Sequence, residues 1–496
     1  MSKEERTDSY SHILKYTGLF GGVQGLGILV GIIRNKLVAV LLGPQGMGLV
    51  SLFNSTIKLV SDSTNFGLSM SAVKRISEDF DSGDEERVSH AVDIVRYWSF
   101  VTALLGTILC VALSPLLSRL TFSWNGHTFH FICLAPVVGL TAITGGELAI
   151  LKGVRQLRHL AAISVYNMLA ALFISVPIYY FFGSKGIVPS LVFMALAQTL
   201  LTIACSYKLY PLRLKFGRGL FADGISMIKL GTAFVVAGLF GSGADFVIRS
   251  YINNVAGIET VGLYNAAFMM TMTYVGMVFS AMETDYFPRL SGVSHFGVTF
   301  TTTVNRQIEV MVLLAAPLLV AFMVGLPVLL PLLYSGRFLP AIGMMQVVVF
   351  AMYFRVLKLP IEYIPLAKGD SKSYMLLEVV DDVAIVLLVV AFFHEGGLVG
   401  AGFGILAAAF FDFVLVVGYA KWKYKFVLSR SVVSYALVQL PIGFLALLAT
   451  QLRDRGFVYW GVGVVLFVVS SAASIIILHS KSNLWRALEK KLFRRK

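Results

Sequence analysis

The sequence predicts an all-α polytopic membrane protein of about fourteen spanning helices, and three observations carry that prediction. Of its 496 residues, 57% are hydrophobic and 14% charged, where soluble domains are about a quarter charged. Apolar stretches of about 20 residues, the length a helix needs to cross the hydrocarbon, recur from end to end. The alternating ten-residue segments of a membrane barrel are absent, and no long polar interval leaves room for a soluble domain.

The spans fall at about 15–42, 47–73, 92–119, 129–151, 160–182, 187–207, 227–254, 260–283, 309–334, 341–366, 374–393, 397–420, 431–451 and 457–479. The first follows a charged tail, 1–14, without a small-residue cleavage site, and is expected to be retained as a span. Spans 1–6 with the basic loop after them make a first lobe, 15–219, and spans 7–12 a second, 220–425. Spans 13 and 14 (426–480) are an addition, and 481–496 is a basic amphipathic tail, Trp485 to Phe493 at its centre, expected to lie on the anionic inner leaflet.

Orientation comes from the basic residues. With the N-terminus cytoplasmic, the inner loops and tails hold thirty of the 41 Lys and Arg, among them Lys152, Arg155, Arg213, Lys215, Lys421 and Lys423. The outer loops hold five: Arg119, Lys185, Arg337, Arg453 and Arg455. Such asymmetry places both termini inside, and it accounts for the +14 net charge without nucleic acid as a partner. The acidic run Glu78–Glu86 reads as a solvated inner connection.

An internal repeat is visible at an offset of about 215 residues. Lys36, Gly48-Leu49 and Phe53 are echoed by Arg249, Gly262-Leu263 and Phe268, and Leu151-Lys152-Gly153 by Ala367-Lys368-Gly369. Two parallel six-span units follow, related by an axis along the membrane normal with a cavity between them.

Six basic residues, Arg34, Lys36, Lys58, Arg249, Arg355 and Lys358, lie inside spans. Each costs roughly 2.5–3.5 kcal/mol at the centre of a spanning helix, so their retention implies a water-filled cavity and a negatively charged cargo. Three have an acid one turn away: Lys58 with Asp62, Asp245 with Arg249, and Lys358 with Glu362. Each such pair is either self-neutralising or part of an ion pathway. Glu378, Asp381, Asp382 and Asp412 are further acids in spans 11 and 12 without an evident local cation, and Glu147 stands near the inner end of span 4. The candidate cavity residues are therefore Lys36, Arg249, Arg355, Lys358, Arg34 and Lys58, and the candidate ion-coupling residues Asp245, Asp62, Glu362 and Glu378. The run Gly238-Leu239-Phe240-Gly241-Ser242-Gly243 before Asp245 is a candidate hinge.

Other chemistry has no visible home. Cys110, Cys133 and Cys205 lie in apolar stretches with no metal-ligand spacing. The eight histidines fall at span ends or in loops, so no metal and no cofactor are expected, and no nucleotide-binding Gly-rich loop or nucleophile elbow is present.

The run Lys36-Leu37-Val38-Ala39-Val40-Leu41-Leu42-Gly43-Pro44-Gln45-Gly46-Met47-Gly48-Leu49 resembles the first hairpin of Wzx-type lipid-linked oligosaccharide flippases, nearest the O-antigen and enterobacterial common antigen translocases. Leu151-Lys152-Gly153-Val154-Arg155, Tyr286-Phe287-Pro288-Arg289-Leu290-Ser291, and Ala367-Lys368 followed by Tyr374, Leu376 and Glu378 extend the likeness over about the first 420 residues. The resemblance implies the multidrug/oligosaccharidyl-lipid/polysaccharide exporter superfamily fold, two six-helix lobes in a V around a central cationic cavity. It implies a monomeric bacterial inner-membrane protein, not an enzyme, that flips an undecaprenyl-pyrophosphate-linked oligosaccharide outward by alternating access with H+ or Na+ coupling. Pathway glycosyltransferases and a polymerase would be its partners beside membrane lipid. Lys36, Arg249 and Lys358 match basic cavity residues of that family, whereas Arg34, Arg355, Asp245 and the added helix pair depart from it. A lipid II flippase or another antiporter of the superfamily remains the alternative. A membrane glycan polymerase or ligase is disfavoured, because such enzymes need a large outer loop.

Overall fold

The computed structural model describes residues 3–122, 125–211, 218–274, 276, 286, 289–292 and 297–481. The basic stretch 212–217, most of the inner half of span 8, part of the Tyr286–Ser291 motif and the amphipathic tail lie outside them. Among the described residues there is no strand. Seven stretches of the described residues are long and apolar enough to cross a membrane. Three of them, Leu29–Thr64, Arg158–Leu209 and Arg430–His479, each take in parts of two expected spans. The chain is an all-helical, multi-pass membrane protein.

By internal packing it forms two compact units, 1–262 with 332–337, and 263–331 with 338–496. In the first, α1 (Lys3–Thr64) reverses at Gly43, whose φ of 63° is open to glycine. Pro44 then starts the outgoing helix where a missing N–H does no harm. Span 2 ends earlier than its hydropathy suggests. Gly67 (φ 65°) breaks the helix, and α2 (Leu68–Asp81) turns Leu68, Ala72 and Ile76 into a cluster with Val92, Val95 and Ile150. The acidic run is solvated, as expected, with exposed pairs such as Arg155–Asp81 at 2.7 Å.

The helices α3 (Glu85–Phe122), α4 (Thr128–Gly153), α5 (Leu157–Phe182), α6 (Ile187–Leu209) and α7 (Arg218–Ala256) complete this unit. α7 packs on α1, α2 and α3, although the boundary at 219 assigns it to the second lobe. Its Asn253 and Asn254 amides donate to the carbonyls of Thr121 and Leu120 at 2.8 and 2.9 Å, capping the end of α3. It runs through Gly238–Gly243 without a break.

α8 (Ile258–Phe268) leads into the second unit, built from α9 (Val298–Leu333), α10 (Ile342–Ala367), α11 (Ser371–Tyr424), α12 (Arg430–Ala449) and α13 (Gly456–Lys481). α10 is buried along most of its length and packs on α11, which reverses at Gly397. The added helices α12 and α13 are locked together by Gln439. Its amide donates to the Ser470 carbonyl (3.2 Å) and Ser474 hydroxyl (3.0 Å) and accepts from the Ser470 hydroxyl (2.7 Å), the polar glue of membrane helices. Tyr459 ties α13 to α9 through the Val324 carbonyl at 2.6 Å.

The internal repeat is written into local geometry. Thr128–Gly153 and Ile342–Ala367 begin and end 214 positions apart (342 less 128). After each, the same three amides bond back: Val154 to Ile150, Arg155 to Lys152 and Gln156 to Leu151; Lys368 to Ile364, Gly369 to Leu366 and Asp370 to Pro365. Gly183 (φ 55°, ψ −136°) and Gly397 (φ 55°, ψ −138°) make one turn twice. Three sequence echoes fall out of this register, Phe53 falling on Ala267 rather than Phe268. Leu151-Lys152-Gly153 and Ala367-Lys368-Gly369 are displaced by two positions, and Lys36 aligns with Ser250 rather than Arg249, a shift of about 100° around the helix.

Candidate functional site

In the second unit, charged side chains from three helical segments meet inside the spans. Arg355, Lys358 and Glu362 stand on α10 at spacings of three and four, hence on one face. Asp381 is sixteen positions before the Gly397 reversal and Asp412 fifteen after it, so the hairpin brings both acids to one depth. Lys358 takes the centre. It pairs with Asp412 through a short contact, with Glu362 at 3.2 Å and with Asp381 at 3.8 Å. Asp412 is 3% exposed. Glu378, from the first arm of α11, lines the same space as Glu362. The groups line a cavity of about 160 Å³, and Arg355, on its wall, points Nη1 at the Met272 sulfur, 3.6 Å away. Lys358 and Arg355 thus face Glu362, Glu378, Asp381 and Asp412, two cations against four carboxyl groups. Asp381 and Asp412, which show no cation along their own helix, have theirs on α10.

In the first unit the basic residues are dispersed. Arg249 is 6% exposed and pairs closely with Asp245, donating also to the Ser51 hydroxyl at 2.8 Å and the Asp245 carbonyl at 3.3 Å. Arg34 reaches across to α5 and α6, with Nε on the Ser175 hydroxyl at 3.1 Å and Nη2 on the Met194 sulfur at 3.5 Å. Lys36 is half-buried, while Lys58 is exposed and pairs with Asp62 at 3.0 Å.

Arg249→Ala is expected to leave Asp245 uncompensated and Ser51 without its donor. Membrane levels should fall, and Asp245→Asn/Arg249→Ala should recover them without restoring activity. Quantified immunoblots beside a functional assay decide it; equal levels for the single and double variants would remove the pairing argument.

One buried ion pair is not among the pairs expected from the sequence, where Arg96 carries no expectation and Glu147 is placed only near the inner end of span 4. Arg96 Nε and Nη2 hold the two Glu147 oxygens at 2.9 and 3.3 Å, both side chains being under a tenth exposed. The guanidinium also donates to the Pro211 carbonyl at 3.2 Å and lies 4.4 Å from the centre of the Tyr207 ring. Its partners come from α4 and α6. The signal available in the sequence is an arginine and a glutamate each four or five residues inside an expected span.

Outside the spans, Asp370 caps α11. It accepts from Ser373 N (3.3 Å), Ser373 Oγ (2.7 Å), Tyr424 Oη (2.8 Å) and Lys423 Nζ (2.6 Å). Burial alone raises a carboxyl, but the bonds from Lys423, Ser373 and Tyr424 outweigh it and hold Asp370 well below the usual carboxylate range. Such a depressed carboxyl stabilises the fold above its unfolded value of about 3.9 and loses that contribution as pH falls below it. Asp370→Asn should therefore lower Tm at neutral pH, and the gap to the parent should close only below about pH 3.9. A gap independent of pH would show that the charge is not what stabilises the cap.

With these geometries in place, the comparisons define the class. The fold is that of the MOP-superfamily transporters. It superposes on an inward-facing multidrug resistance MATE family transporter of that superfamily with a TM-score of 0.64, at 15% identity over 80% of this chain and 94% of that one. It superposes on the lipid II flippase MurJ in an inward closed conformation with a TM-score of 0.68, at 12% identity over 93% and 99%. A Pyrococcus furiosus MOP-superfamily transporter, described as having a binding pocket of reversed polarity, gives 0.57 at 16% identity over 82% and 93%. A search of curated proteins finds no significant match. The chain belongs to the polysaccharide biosynthesis protein family, whose model matches residues 37–343.

Proposed function

We propose that this chain is a flippase that carries an undecaprenyl-pyrophosphate-linked oligosaccharide from the cytoplasmic to the periplasmic leaflet of the bacterial inner membrane by alternating access. Membership of a polysaccharide biosynthesis family by a multi-pass protein of MOP-type fold carries the proposal. The Lys358 cluster supports an ion-coupled cycle. With its carboxylates ionised, Lys358 is fully engaged; protons taken up by Glu362, Glu378, Asp381 or Asp412 release the ammonium to meet a diphosphate. Arg249 and Arg355 offer paired donors suited to phosphate, whereas Lys36 and Lys358 act as point charges. Arg34 and Lys58 are assigned to the polar lining, and Asp245 and Asp62 to balancing the neighbouring cations. An Na+-coupled cycle would use the same carboxylates.

The proposed topology keeps both termini in the cytoplasm. Cysteines introduced at Asn125 and Ser482 test it: a membrane-impermeant reagent applied from outside should reach only the first. Function is tested by deleting the gene and extracting lipid-linked intermediates. Accumulation of a completed undecaprenyl-pyrophosphate glycan in the inner leaflet supports the proposal. Accumulation of lipid II would favour the alternative cargo, which shares the polyprenyl diphosphate. Normal flipping with unpolymerised glycan outside would move the protein to the polymerase class.

A further inference from the structure

We propose that the second unit binds an anionic phospholipid at its basic end, in a site built by α9, the 425–429 loop and the end of α13. A cavity of about 1210 Å³ opens there, larger than the roughly 300–1,000 Å³ that hold a drug-sized ligand. One face of α9 forms its wall, and the character of that face changes along the helix. Thr301, Asn305 and Arg306 come first, and Val310 and Leu313 follow. From 298 to 313 the wall runs about 22 Å, enough to pass from the headgroup layer into the hydrocarbon.

The floor is fixed by bonds of its own. The Asn305 amide donates to the Val427 carbonyl at 3.0 Å and its oxygen accepts from Ser429 N at 2.8 Å. Phe426 is buried at 1% exposure, and Lys425 turns the chain with φ 55°. Lys425 of that loop and Arg306 of α9 both line the cavity, and Lys425 Nζ donates to the Trp422 carbonyl at 3.2 Å. Glu309 also lines the space, and its carboxylate accepts from the Ser429 hydroxyl at 3.4 Å. The two cations exceed it by one charge. Ile477 and Leu478 of α13 close the apolar side.

A soluble phosphate would use only the polar third of this space. A lipid with an anionic head uses all of it, with the head between Arg306 and Lys425 and an acyl chain along Val310, Leu313 and Leu478. The added helix α13 gains a role as one wall of this site. The proposal stands independently of the transported cargo.

The test is binding of dioleoyl phosphatidylglycerol to the purified full chain in detergent, followed by native mass spectrometry, with dioleoyl phosphatidylcholine as the neutral comparison. Phosphatidylglycerol should bind at least about tenfold more tightly. Arg306→Gln/Lys425→Gln, both at exposed positions, should abolish that preference while leaving phosphatidylcholine unchanged. Val310→Trp, at a position 42% exposed, should weaken both lipids by filling the acyl track. Undiminished phosphatidylglycerol preference in the double variant overturns the proposal. So does unchanged lipid binding in Val310→Trp, or full displacement of the lipid by inorganic phosphate at equal concentration.

Discussion

Lys358→Met is expected to abolish transport and to lower membrane levels several-fold, the largest effect of any single substitution in the second unit. The Lys358 side chain is 13% exposed and the Asp412 side chain 4%, so removing the cation strands Asp412, and with it Glu362 and Asp381, in a low-dielectric interior. Breaking a buried pair from one side costs about 3–5 kcal/mol, since the remaining charge has lost both water and partner. Lys358→Met/Asp412→Asn removes charge from both sides and should recover most of the protein level. It should not recover transport, because both the ammonium and one carboxylate of the proposed coupling cluster are gone. Thermal unfolding of purified variants gives the stability part, and complementation of a flippase-null strain at matched membrane levels gives the other. A double variant that transports normally would reduce the cluster to a structural ion pair.

The Arg96–Glu147 pair is expected to behave in the opposite way. Arg96→Met should destabilise by a similar amount, about 3–5 kcal/mol, because Glu147 is left 3% exposed with no cation. The loss should be compounded where the guanidinium holds the Pro211 carbonyl. Arg96→Met/Glu147→Leu replaces the pair with apolar side chains of similar bulk, an exchange that is often neutral or stabilising. This double variant should fold, insert and transport. A stable double variant without transport would place the pair in the transport cycle after all. The contrast between the two doubles separates a charge pair kept for packing from one kept for turnover.

The sequence contains the pairs that lie along one helix and hides those that cross between helices. Lys58–Asp62, Asp245–Arg249 and Lys358–Glu362 are one turn apart, so periodicity alone brings them together. Asp412 is 54 positions from Lys358, and Glu147 is 51 from Arg96. Those meetings depend on where a hairpin turns and how far each arm runs. For Asp381 and Asp412 the clue was present, as nearly equal counts on either side of Gly397, but only a known turn position gives it meaning. Hydropathy marks spans well and helix ends poorly, because Gly67 divides the second span through backbone conformation rather than polarity. The residue echo at Lys36 sits one position off the structural register, enough to rotate a side chain to another face.

The duplicated turn at Gly183 and Gly397 has a consequence for how labour is divided within the chain. In the 214-residue register the positions of Arg355, Lys358, Glu362, Glu378, Asp381 and Asp412 fall on Thr141, Thr144, Leu148, Ser164, Asn167 and Gln198. Each of these six charges has a neutral residue at the matching position, and five of the six neutral residues are polar. Thr144 bonds to Thr199 at 2.9 Å where its counterpart gathers carboxylates. The older half-length ancestor implied by such a repeat could have held only one kind of lining. After duplication the copies were free to specialise, one gathering ionisable side chains about a lysine and the other keeping uncharged side chains at the same places. Under the proposed ion-coupled cycle, pH would then act through the carboxylates of one copy, with no titratable counterpart at the matching positions of the other.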